Sequence, residues 1–220
     1  MPTLEALTAD NSGWSLLEGW VEAAKNPAQL LRECLHGPEA LTALQITTHS
    51  PMGALAYNSG GLVVDGGWLR FLGGGHPELR RRLDTWTSTL EWGGPTPSLI
   101  AVADDVLGGV FALDGGAFAG TRGEAFYLAP DTLEWESCEM GYSDLVQWAL
   151  TGDLEQFYDG FRWTGWQEDV RRFGPDQSLS IHPPLWTRGE TLDQRGRRSI
   201  DATEAVNVEL EIIRQLVASS

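Results

Sequence analysis

The chain holds 220 residues, of which 42% are hydrophobic and 21% charged. That balance excludes a disordered or fibrous chain, and the length allows one large domain or two small ones. Thirty-one acids against 15 bases leave a formal net charge of −16, which argues against nucleic acid as a partner and favours a basic protein.

Residues 1–11 carry no basic segment followed by an apolar run, and no stretch approaches the roughly 20 apolar residues of a membrane span. The expectation is therefore no signal peptide, no membrane and a cytoplasmic place. Cys34 and Cys138 belong to no C-x-x-C or zinc spacing and read as structural thiols.

From Asn11 to Lys25, Trp14, Leu17, Val21 and Ala24 recur at helical spacing with Trp20 beside them, and Asn26-Pro27 ends the helix. A second helix is expected from Pro38 to about Leu44, with proline at its first position and Glu39 at the positive end of its dipole. Between residues 46 and 137 short apolar runs alternate with glycine pairs. The expected strands are Ala54 to Tyr57, Leu62 to Val64, Trp68 to Leu72, Leu99 to Ala103, Val110 to Leu113, Glu124 to Leu128 and Leu133 to Glu136. Strands this short, joined by turns rather than by helix-length crossovers, predict an antiparallel meander. The stretch Gly75 to Pro97 reads as an excursion from the sheet, with a helical turn around Pro77 to Trp86.

Helical spacing returns at Tyr142, Leu145, Trp148 and Ala149 behind a Ser143 cap, with Gly152 as a stop. Asp153 to Phe161 and Gly165 to Phe173 read as short helices, and a loop with Pro183-Pro184 and Trp186 follows. Asp201 caps a last helix to Ala218, whose stripe is Val206, Leu210, Ile213 and Val217. The whole chain, 1–220, reads as a single α+β domain: helices at about 11–44, a strand-rich core at 46–137 and a helical part at 141–220.

Sequence motifs assign no catalytic residue, cofactor or metal. No glycine pair forms G-x-G-x-x-G or a Walker loop. His36, His49, His76 and His182 are isolated, and no G-x-S-x-G elbow occurs. Two patterns remain as candidate binding residues. Asp65, Asp104, Asp105 and Asp114 stand before glycine pairs at strand ends. Brought together they would bind a cation or act as acid and base; the plainer reading is ordinary Asp-Gly turn chemistry. Among ten tryptophans, Trp68, Trp163 and Trp166 stand beside turns, where an indole serves either as core support or as a platform for a sugar or a protein.

The runs Ser50-Pro51-Met52-Gly53-Ala54, Val64-Asp65-Gly66-Gly67-Trp68-Leu69-Arg70, Ala103-Asp104-Asp105-Val106-Leu107-Gly108-Gly109 and Ala112-Leu113-Asp114-Gly115-Gly116 resemble the bacterial family known as domain of unknown function 2625. The stretch Tyr127 to Trp135, then Gly141-Tyr142-Ser143 and Arg162-Trp163 with Gly165-Trp166, resembles the same family, which implies no activity. A looser similarity runs to the SUKH superfamily, whose members include bacterial immunity proteins that bind toxins. It is carried by the turn Asp114-Gly115-Gly116, where that superfamily has asparagine, followed by Phe126-Tyr127-Leu128. This similarity implies a non-enzymatic α+β binding scaffold. Three functions follow as expectations: a protein-binding module of immunity type, a small-molecule or carbohydrate-binding protein or hydrolase using the strand-end aspartates, and a structural or regulatory homodimer.

Overall fold

The computed structural model describes residues 1–218, and among them it has an α+β architecture. The chain opens with α1 (Leu4–Leu7), α2 (Ser12–Glu22), β1 (Ala28–Leu31), α3 (Gly37–Leu44) and α4 (Pro51–Asn58). It continues through β2 (Gly61–Val64), a 3₁₀ turn at Asp65–Gly67, β3 (Leu69–Leu72), α5 (Trp86–Thr89), β4 (Leu99–Asp105), β5 (Val110–Asp114), β6 (Glu124–Leu128) and β7 (Trp135–Gly141). After these come α6 (Tyr142–Thr151), α7 (Leu154–Phe157), α8 (Trp166–Phe173), β8 (Gln177–His182), β9 (Gly196–Asp201) and α9 (Ala202–Ala218).

The first seven strands form one sheet in sequence order, every neighbouring pair antiparallel, which is the meander that the glycine-punctuated runs predict. Helices α2, α4 and α6 pack on one another and on this sheet, and α9 covers the separate β8–β9 hairpin. The core is one contiguous cluster running from Leu7 to Leu210.

Several elements differ from expectation. The run Ala54 to Tyr57, expected as a strand, lies inside α4, because Ser50 accepts the Gly53 N–H at 3.1 Å and Pro51 sits at the first helical position. Local capping outweighs the four apolar residues that suggested a strand. Pro77 to Leu83 forms no helix, and the helical turn of the excursion starts only at Trp86. Strand β1 and the hairpin β8–β9 lie where no strand is expected; in β8 Leu179 and Ile181 alternate with Ser178 and Ser180, a period-two signal only four residues long. Replacing Ser50 with alanine is expected to cost about 1 kcal/mol, read as a lower urea midpoint at unchanged m value.

Candidate functional site

At one end of the sheet, where β2 hands over to β3 and β4 to β5, polar and aromatic side chains collect beneath the C-terminal segments. Asp104 and Asp105 are consecutive on β4, so they face opposite sides of the sheet and enter separate networks.

On one side Asp104 lies opposite Arg70 of β3 and pairs with it; neither side chain has any solvent exposure. Arg70 also donates to Ser178 of β8 at 2.9 Å, and Arg81 reaches Asp104 at 2.8 Å and Asp176 at 3.1 Å. Burial works against the Arg81 charge, but Asp104 and Asp176 outweigh it and hold its pKa above the ordinary value. Burial likewise opposes the Asp176 charge, and Arg80 and Arg81 together keep that carboxyl below its usual range. The network ties the segment 80–82 and β8 to the sheet.

On the other side Asp105 accepts four hydrogen bonds. The backbone N–H groups of Leu107 and Gly109 reach one oxygen at 2.9 and 3.0 Å; the hydroxyls of Tyr127 and Tyr158 reach the other at 2.6 and 3.2 Å. Four donors suit an ionised acceptor, yet burial still raises the Asp105 carboxyl above its ordinary value. Burial and the Asp105 charge push both tyrosines well above theirs, so they stay protonated donors. The glycines here do more than turn the chain. A side chain on Gly109 would strike the Tyr127 hydroxyl and Asp105, and one on Gly108, at φ +101°, would strike Glu209.

Glu209 of α9 is the least expected member. It is 5% exposed, its Oε2 has no hydrogen-bond partner, and burial followed by the Asp105 charge raises its pKa well above the ordinary value. The sequence did carry a signal for it. Val206, Glu209, Leu210 and Ile213 follow helical spacing, so the acid interrupts the apolar stripe of α9.

Of the sequence-derived candidates, Asp65, Trp68, Trp163 and Trp166 do come together: Asp65, Trp68 and Trp166 gather around Arg162, and Trp163 joins them through the Trp68 ring, with the Arg197 guanidinium 5.0 Å from its own ring. Arg162 pairs with Asp65, and its guanidinium lies 5.1 Å from the Trp68 ring, 4.4 Å from Trp166 and 5.9 Å from Tyr158. Trp68 meets Tyr158, Trp163 and Trp166 at ring separations of 4.9 to 5.8 Å; such pairs contribute about 0.5–1.5 kcal/mol each beyond their buried area. Trp68 is fully buried, so its ring faces only the chain's own groups. Tyr158 joins the two clusters, its ring on the aromatic group and its hydroxyl on Asp105. Asp114 stands at the opposite end of the sheet, where it accepts the N–H groups of Gly116, Ala117 and Phe118 and closes a turn. The four aspartates therefore do not share one cleft.

Beside the aromatic group lies an open depression of about 450 Å³, bounded by Trp163, Trp166 and Tyr158 and by the exposed acids Glu155, Asp159 and Asp193. Among the described residues no group of three His, Cys, Asp or Glu is placed to hold a metal ion, and no helix is long and apolar enough to cross a membrane.

Comparison with known proteins places this architecture in a family context. The family model described as "Protein of unknown function DUF2625" matches residues 4–205. The chain is 43% identical over 201 residues to "Putative uncharacterized protein YbfG" of Escherichia coli strain K12, covering 91% of each. It is 35% identical over 206 residues to an "Uncharacterized protein" of Haemophilus influenzae, covering 91% of this chain and 90% of that one. No solved structure matches. The match spans the Asp104-Asp105 strand, the Gly108-Gly109 turn and the aromatic segment around Arg162, and on it the chain belongs to the DUF2625 family of proteins of unknown function.

Proposed function

We propose that the protein is a non-enzymatic binding module that meets a basic protein partner through the acidic, aromatic depression beside α7 and α8. The observation that supports this is where the arginines are spent. Nine of the fourteen form ion pairs within the chain: Arg32, Arg70, Arg80, Arg81, Arg82, Arg162, Arg171, Arg172 and Arg214. The acidic excess is therefore left on the surface. At the depression Arg162 is already held by Asp65, while the carboxylates of Glu155, Asp159 and Asp193 stand exposed above rigid indoles. Exposed acids of one sign speed the approach of a basic partner, and buried aromatics give its side chains a fixed floor. The immunity-type role implied by the similarity to the SUKH superfamily is one form of this reading.

Affinity capture at about 50 and 300 mM salt tests it, since exposed charge contacts weaken across that range. A specific basic protein is expected at low salt and not at high salt. It is also expected to be lost by at least about tenfold with the combined variant Glu155→Gln, Asp159→Asn, Asp193→Asn. Equal recovery by the wild type and the neutralised variant would sink the reading.

A further inference from the structure

A second pocket, which shares no residue with the acidic depression, lies between β8, the loop 183–186 and α9. It encloses about 200 Å³ and its walls are apolar, chiefly Ile181, Leu185, Trp186, Ile200, Val208 and Ile212. Glu209 is one of its lining residues. Glu209 is more than nine-tenths buried, and its Oε2 has no partner. An unpaired buried oxygen carries the desolvation cost of a lost hydrogen bond, and a group that supplies a donor there recovers it.

The chemistry of the lining narrows what that donor is. No lysine or arginine lines the pocket, and its other titratable residue, His182, is exposed at the end of β8. Behind Glu209 stands Asp105, with its own oxygens already filled by Leu107, Gly109, Tyr127 and Tyr158. Two carboxyl groups without a free cation between them disfavour an anionic ligand. A hydrocarbon would fill the walls but leave Oε2 unpaired. We propose that this pocket binds a small organic amine, its apolar body held between Trp186, Ile200 and Ile212 and its ammonium paired with the Glu209 carboxyl, which gives its proton to solvent as the pair forms.

Isothermal titration with n-hexylamine, 2-phenylethylamine and tryptamine, each against the alcohol of the same skeleton, tests the assignment. The wild type is expected to bind at least one amine about tenfold or more tightly than its alcohol, because a hydrogen bond to a charged group contributes more than a neutral one. Glu209→Gln is expected to remove that preference. Val208→Trp, at a pocket-lining position that is half exposed on α9, is expected to block amine and alcohol alike while leaving Glu209 in place. No heat with any amine up to millimolar concentration, an alcohol bound as tightly as its amine, or binding that survives both substitutions would overturn the proposal. None of these outcomes depends on a protein partner, so failure here and failure of the binding-module reading are separate results.

Discussion

Replacing Arg70 with methionine is expected to lower stability by about 3–5 kcal/mol, the loss that follows when one member of a buried ion pair is removed. The size comes from charge balance in a dry site. Arg70 and Arg81 face Asp104 and Asp176, two positive groups against two negative ones, with Arg80 at the solvent edge. Taking Arg70 away leaves Arg81 shared between two carboxylates and leaves the Ser178 hydroxyl without the donor it accepts from. Methionine fills a similar volume, so the loss reports charge rather than a cavity. The double variant Arg70→Met, Asp104→Leu restores the balance as a single Arg81–Asp176 pair, and it is expected to recover most of the loss. Urea denaturation of the wild type, both single variants and the double variant gives the coupling energy directly. A single-variant cost below about 1 kcal/mol would show that water reaches the pair.

That network also marks how far the sequence could be read. The meander from β2 to β6 was legible because each of those strands is a short apolar run with a turn signal behind it, and those signals act locally; β1 gave no such signal, and the largely polar β7 was read only at its start. Helix α9 was legible for the same reason, from Asp201 at its cap to the stripe at Val206, Leu210 and Ile213. The site was legible only in part. Asp65, Trp68, Trp163 and Trp166 are candidates by residue type, but nothing in their spacing shows that Arg162 stands among Asp65, Trp68 and Trp166. Asp104 and Asp105 look alike in sequence, and only the pleat of β4 sends one to Arg70 and the other to Tyr127 and Tyr158. Arg81 and Asp176 are separated by almost half the chain, and such pairing is set by the tertiary fold. Gly108 and Gly109 read as turn formers, which they are; that Glu209 and Tyr127 press against them appears only once α9 and β6 are in place.

Glu209 provides the second large effect, and it depends on pH. Burial raises its carboxyl well above 4.5 in the folded protein, with the Asp105 charge adding to the shift, whereas in the unfolded chain it titrates near its ordinary value. Below about pH 4.5 both states hold the proton and the group is neutral in the balance. As pH rises the unfolded chain releases the proton while the native state keeps it, so stability falls by about 1.4 kcal/mol per pH unit until the native carboxyl ionises too. Glutamine has nearly the same shape and no charge to lose, so Glu209→Gln is expected to match the wild type near pH 4.5. Above that it is expected to become the more stable protein, by a margin that widens with pH until the native carboxyl ionises. Asp105 is raised as well and loses stability in the same direction, but it is present in both proteins and largely cancels from the difference. Urea midpoints of the two proteins across pH 4.5 to 7.5 measure the widening gap, and a constant difference would mean that water or a counter-ion already serves the carboxyl. The expected sign also makes Glu209→Gln a sound control for amine binding. A variant that is more stable than the wild type loses affinity through the missing ionisable carboxyl and not through a missing fold.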